Sequence, residues 1–257
     1  KKLKKGELTV PISTAGSVGL ILQVLLIPAL ETKIDLRIKG GATYGKFAPP
    51  IHHFEYVLFP LLKKMGWTID LIVIKEGFFP KGGAEVESFS SEPKLKSLNI
   101  LEKGKTISIK IISVASKDLE KTEVAERQAK EAKRILFEKF LDIPIQINTE
   151  YSESLCTGSG LQITLETEHS FFGGDALGEK GKSAEKVAEE AVASLIHSYE
   201  LGTVDIYTAD MLLPFIAIAG GSYIAPEITE HVKTNIKVIE AFLDVEFKIK
   251  GRIISKS

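Results

Sequence analysis

The chain has 257 residues, a formal net charge of −1 and one cysteine, Cys156. That length supplies one large or two modest domains with real cores. A charge near zero excludes a grossly basic nucleic-acid binder, though not a local basic groove. A lone cysteine excludes an intrachain disulfide and a cysteine-based zinc site, so a reducing, cytoplasmic setting is expected.

A basic lead-in and a strand-like piece, "KKLKKGELTV", open the sequence. "STAGSVGLILQVLLIPAL" follows as an apolar helix with a Ser/Thr cap, expected to be buried all round. Its apolar run, residues 18 to 30, is too short to span a bilayer and carries Gln23 and Pro28, so no membrane partner is expected. "TKIDLRIKG" alternates with period two and reads as a strand. "PPIHHFEYVLFPLLKKMG" opens with prolines suited to a helix start and stops at Gly66. "TIDLIVIKEG" and "GGAEVESFS" read as strands around the turn "FFPKGG". Strand, helix, strand, helix, strand, strand is the order of a two-layer α/β unit.

A second organisation is expected over residues 102 to 202. "KTISIKIISVA" reads as a strand. "KTEVAERQAKEAKRILFEKF" reads as a helix with Val124, Gln128, Ala132, Ile135 and Leu136 on one face. "PIQINTEYS" and "GLQITLETE" read as strands, and "SAEKVAEEAVASLIHSY" as a helix capped by Ser183. This stretch is expected to be a smaller α/β domain inserted into a larger one made of residues 1–101 and 203–257. "IYTADMLLPFIAIAG", "GSYIAPE", the helix "EITEHVKTNIKVIEAFL" and one strand, "VEFKIKGRII", complete the larger part.

Chemistry concentrates at few places. HExxH, a Walker loop and GxGxxG are all absent. His52 and His53 are adjacent on a helix, so their side chains diverge by about 100° and one ion does not suit both. Cys156 in "CTGSG" reads as incidental. His169 and His197 read as surface residues. With Thr229 as cap, His231 falls in the first turn of a helix. The positive helix end there disfavours a cation and welcomes a phosphate. Those are the conditions for an imidazole that attacks phosphorus, although a histidine in a first turn is also an ordinary helix residue. "YTAD", residues 207 to 210, sets an aromatic ring beside short polar side chains. It reads either as a base-stacking and orienting segment or as a rim tyrosine with Asp210 as a cap. "TYGKFAPP", residues 43 to 50, offers a flat apolar edge or a simple turn.

Seven pieces, in order, resemble the RNA 3′-terminal phosphate cyclase family. They are "STAGSVGLILQ", "RIKGG", "APP" before a helix, "GFFPKGGAEV", "GEKGKSAEKVAEE", "YTADMLLPFIAIA" and "EHVKTNIKVIEAFL". The resemblance implies an α/β, α+β two-layer fold. Repeated β-α-β-α-β-β units form a large domain, and a smaller α/β domain is inserted. It implies an ATP-dependent reaction, assisted by Mg2+ or Mn2+, that turns an RNA 3′-phosphate into a 2′,3′-cyclic phosphodiester. The implied route runs through a histidine–AMP intermediate and an RNA adenylate. His231 corresponds to the adenylylated histidine of the family's H-x-x-x-N helix, and Asp210 to the carboxylate beside it. Tyr207 corresponds to the ring on adenine, Pro49 to the apolar partner on adenine's other face, and Gln23 to a glutamine that contacts ATP. Thr208, Ala209, Asp210 and Met211 correspond to the lining of the nucleotide pocket.

The family's N-terminal unit, with its "EGGGQ" motif and phosphate-binding arginines, has no counterpart in this chain. The first repeat is therefore expected to be missing, and the hold on the triphosphate to be weaker. The metal ligands and the oligomeric state stay open, a homodimer included. The competing reading is a non-catalytic, cyclase-like binding factor in ribosomal RNA processing. Members of that kind lack the histidine, so His231, Tyr207 and Asp210 favour the enzyme, while the missing first unit favours the binding factor or a shortened chain that folds without turning over. An enolpyruvyl-transferase-like reading finds no matching motif.

Overall fold

The computed structural model describes residues 6–256; the basic lead-in, residues 1–5, lies outside them. The chain is mixed α/β, as expected. β1 (Gly6–Ser17), α1 (Val18–Leu26) and β2 (Ile34–Ala42) open it. A helical rod follows: α2 (Ile51–His53), a π turn (Phe54–Leu58) and α3 (Phe59–Lys64). β3 (Ile69–Lys75) and β4 (Glu85–Ser90) close the unit. The sheet order is β1-β2-β4-β3, with β1 and β2 parallel and the other pairs antiparallel. Along β2, Ile34, Leu36 and Ile38 are buried while Arg37 and Lys39 face out, as a strand covered on one side requires. Gly19 lets α1 approach the rod closely. A Cβ there would lie 2.6 Å from the Phe54 ring and 3.0 Å from the Pro49 carbonyl.

Two expectations for this segment are corrected. Ser13 and Thr14 do not cap α1, because pairing with β2 keeps the chain extended as far as Ser17. The Ser17 hydroxyl is the cap and accepts the Leu20 N–H at 3.2 Å. Nor is α1 buried all round. Val18, Leu22 and Leu26 face the core, whereas Val24 is 66% exposed, with Leu20 and Ile27 exposed beside it. Residues four apart share a face, so a helix lying on one sheet buries one stripe and leaves the other open.

β5 (Leu98–Ile100) comes next and then a second sheet, built from β6 (Thr106–Ser116), β7 (Ile145–Ser152), β8 (Ser159–Thr167) and β9 (Phe171–Leu177) in the order β7-β6-β8-β9. α4 (Val124–Lys139) and α5 (Ala184–Leu201) cover it. The Ser183 hydroxyl caps α5 by accepting the Lys186 N–H. Ala125, Gln128, Ala129, Ala132 and Leu136 form the buried stripe of α4, whereas the expected Val124 and Ile135 flank it and are only partly buried. β5 and β9 were not anticipated: β5 has only three residues, and "FFGGDAL" mixes aromatic residues with glycines.

α6 (Thr208–Met211), α7 (Leu213–Ala219), β10 (Gly221–Ile224), α8 (Glu230–Phe242), β11 (Phe247–Lys250) and β12 (Ile253–Lys256) end the chain. The expected single strand "VEFKIKGRII" is a hairpin, because Gly251 takes a left-handed φ of 63° and reverses the chain. A third sheet runs β11-β12-β10-β5. One hydrophobic cluster joins the first and third sheets, from Val18 to Ile254. Another draws on Ile109 to Leu195. Tyr44, Phe78, Ile112 and Val114 form a small cluster between them.

Candidate nucleotide site

His231 is exposed in the first turn of α8. The helix starts there because the Thr229 hydroxyl accepts the Val232 N–H at 3.2 Å. Val232 and Ile236 are buried and seat the helix, whereas Leu243, just past its end, is 42% exposed. Asn235 lies one turn after His231 on the same face. Its side-chain amide donates to Asp210 Oδ2 at 3.4 Å.

Asp210 does not cap a helix. It sits inside α6, whose N-terminal flank is Tyr207. Burial pushes its carboxyl up to about 6, the charge of His231 pulls the other way, and the charge of Asp205 adds to the rise. Asp210, Met211, Gln23 and Asn235 line one cavity of about 140 Å³ between α1, α7 and α8. His231 stands outside that lining, on the exposed end of α8. Thr208 and Ala209 are buried, and the Tyr223 hydroxyl donates to the Ala209 carbonyl, fixing α6 to the third sheet.

Tyr207 is half-buried, with its ring edge-on to His53 at 5.5 Å between centroids. Its phenol ionises well above the usual range, first through burial and then through the charges of Asp175 and Asp205. Pro49 is buried at the start of the helical rod, beside Gly19 of α1. The structure thus gathers Gln23, Asp210 and Met211 at one cavity, whose lining includes none of Pro49, Tyr207, Thr208, Ala209 and His231, and sets Tyr207, just before α6, against His53.

Behind these side chains lies a buried network that the residue pattern did not reveal. Asp205 is fully buried and accepts the Thr208 N–H and the Gly173 N–H, each at 2.8 Å. His53 Nε2 lies 3.0 Å from its other contact, Asp205 Oδ2. Burial would raise the Asp205 carboxyl, but His53 and the two amides bring it below its ordinary value. Gly173, on β9, has no room for a side chain, since a Cβ would meet the His53 ring at 2.6 Å. Asp175, two residues along, is pushed up to about 7 by burial, against the pull of His53 and with the help of Asp205.

His52 points elsewhere, as adjacent helix positions require. Its Nε2 meets Glu76 at 2.9 Å and its Nδ1 meets Glu55 at 3.1 Å. Burial works to lower it, but Glu76 and Glu55 win and raise it to about 9. A signal for Asp205 was present: it stands three residues before Thr208, the spacing of a capping aspartate. Nothing in the sequence announced which histidine would face it.

No helix among the described residues is long and apolar enough to cross a membrane. The family profile described as RNA 3′-terminal phosphate cyclase matches residues 1–249. An RNA 3′-terminal phosphate cyclase of Pyrococcus abyssi is 37% identical over 257 residues, covering 98% of this chain and 74% of the relative. One of Saccharolobus islandicus is 39% identical, covering 96% and 72%. One of Sulfurisphaera tokodaii is 38% identical, covering 97% and 73%.

Proposed function

The chain belongs to the RNA 3′-terminal phosphate cyclase family, and we propose that it cyclises RNA 3′-phosphate ends at the expense of ATP, with His231 as the nucleophile. One observation carries the residue assignment. An exposed imidazole at the capped start of α8 is near enough to Asp210 for its charge to act on that carboxyl, and Asp210 lines a cavity together with Gln23.

The chemistry follows from that arrangement. A ring nitrogen of His231 attacks the α-phosphorus of ATP, an N–P bond forms, and the bond to pyrophosphate breaks. The helix start offers free N–H groups to the phosphate oxygens. Asp210, above about pH 6, carries the negative charge that stabilises the imidazole as it becomes cationic. AMP then passes to the RNA 3′-phosphate. The vicinal 2′-hydroxyl attacks that activated phosphorus and expels AMP, leaving the 2′,3′-cyclic end. Tyr207 and Pro49 hold the adenine, and Gln23, Thr208, Ala209 and Met211 shape its pocket.

Magnesium or manganese, when bound with the nucleotide, would supply positive charge to its phosphate oxygens. A metal held through phosphates needs only one or two carboxylates. Among the described residues no group of three or more His, Cys, Asp or Glu is placed to hold one, so no residue is assigned to it.

The test is labelling. The protein is incubated with α-labelled ATP and magnesium, and acid-labile, base-stable label is sought on the protein. Label on the native chain that disappears in His231→Ala supports the reading. Absence of label on the native chain, or equal label on the variant, overturns it.

A further inference from the structure

Asp205 ties three separate parts of the chain to one carboxylate. Its Oδ1 accepts the Thr208 N–H at 2.8 Å, in the turn that opens α6. Its Oδ2 accepts the Gly173 N–H of β9 at 2.8 Å and the Nε2–H of His53, on the helical rod, at 3.0 Å. The Asp205 carbonyl also accepts the Ala209 N–H at 3.0 Å, and the Tyr207 carbonyl accepts the Met211 N–H at 3.1 Å. Tyr207 lies inside that turn, so bonds on either side fix its backbone.

His53 meets its side chain. The two rings are edge to face, with 5.5 Å between centroids and 84° between planes. That contact is attractive and directional, because the positive edge of one ring faces the negative face of the other. It lasts only while the imidazole keeps its orientation. Both Asp205 oxygens hold Nε2, at 3.0 and 3.2 Å, and the Thr208 hydroxyl lies 3.4 Å from the same nitrogen. The other nitrogen, Nδ1, is buried with no hydrogen-bond partner. An unpaired buried polar atom is a cost, rare in native folds, and such costs gather at functional places.

The second sheet leaves the imidazole its room. Gly173 does not hold a positive φ, so its backbone does not demand glycine. Space does: a Cβ there would lie 2.6 Å from Cδ2 of His53. A side chain at this point of β9 would push the imidazole off Tyr207.

We propose that His53 is a positioning residue of the nucleotide site: clamped by Asp205 and given room by Gly173, it holds the Tyr207 ring in the orientation that stacks on adenine. His53 is fully buried and touches no substrate, so it acts only through Tyr207. The inference rests on the reading of Tyr207 as the adenine ring, but not on the role of His231.

The test is a double-mutant cycle on the affinity of the whole chain for labelled AMP, read by equilibrium binding. His53→Gln keeps an amide N–H for Asp205 and removes the ring. It is expected to bind AMP about fivefold more weakly, the worth of one edge-to-face contact. In a Tyr207→Ala background the same change should alter AMP affinity by less than about twofold, since no ring is left to orient. A histidine that served the fold alone would weaken binding equally in both backgrounds. Gly173→Ala displaces the imidazole without removing it and should show the same dependence on Tyr207. It carries the test where His53→Gln fails to fold, and a thermal melt of each variant reports which have folded.

A loss that vanishes with Tyr207 supports the proposal. An equal loss in both backgrounds, or AMP affinity unchanged in either folded variant, overturns it and leaves the Tyr207 assignment standing. Native affinity in Tyr207→Ala, or no AMP binding by the native chain, sinks that assignment, and the positioning role falls with it.

Discussion

His53 and His231 meet carboxylates in opposite settings, and the contrast separates a structural histidine from one free to react. His53 is fully buried, and its Nε2 is held by Asp205, itself buried and bonded to two backbone amides. That ring has no open path to a substrate. His231 is exposed on the first turn of its helix, with Asp210 near enough to be felt and Asn235 holding that carboxylate. A buried pair serves shape, because breaking it strands a charge without water. An exposed imidazole beside a half-buried acid retains a nitrogen for chemistry. Both arrangements look alike in a list of histidine–carboxylate neighbours. Solvent access tells them apart.

The comparison breaks most visibly at His231, the nucleophile proposed above. His231→Ala should reduce labelling from α-labelled ATP to below about 1% of the native chain, since no other group supplies the attacking nitrogen. Its effect on stability should stay within about 0.5 kcal/mol, as for exposed positions generally. His53→Ala should do the reverse to the fold. Chemical denaturation should show a loss of about 3–5 kcal/mol, because Asp205 is left buried and unpaired. A His53→Ala protein as stable as the native chain would dissolve the distinction.

pH sharpens it next. His52 is raised from its ordinary 6.5 to about 9 in the folded chain, so its pairing with Glu76 and Glu55 stabilises fully below about pH 6.5. That contribution is lost as pH rises through about 9. Denaturation midpoints should fall over that window, and His52→Gln should flatten the fall. Asp210 gives the opposite limb in activity. Its carboxyl is raised from 3.8 to about 6, so it carries charge above that pH. Labelling should drop as pH falls below about 6 in the native chain, and Asp210→Asn should be slow throughout without that limb. The same raised value means Asp210 disfavours the fold above pH 6 and less as pH falls towards 4.

The smallest effects belong to positioning. Tyr207→Ala should weaken ATP binding by about 1–3 kcal/mol, read by titration, through loss of a stacking face. Thr229→Ala should cost about 1 kcal/mol of stability through loss of the cap, with labelling reduced less than in His231→Ala.

Much of the fold was legible because its signals are local. The alternation of Ile34, Leu36 and Ile38 in β2, the Ser183 and Thr229 caps and the stripe of α4 each depend on residues within one or two turns of one another. The cap of α1 was misplaced because pairing with β2, a partner well removed in sequence, kept Ser13 to Gly16 extended. β5 escaped notice because a three-residue strand exists only by virtue of its neighbour, β10.

For the site, order along the chain brought His231, Asp210, Tyr207, Gln23 and Pro49 into view through resemblance, and local rules put His231 in a first turn. The sequence by itself determined the elements and the chemistry that each side chain carries. Only the tertiary structure decided which histidine is sealed against Asp205, which one faces water, and that Gly173 and Asp175 of β9 stand behind Tyr207. The reason is physical. Burial and charge pairing between residues more than a hundred positions apart depend on packing, and packing is a property of the whole fold.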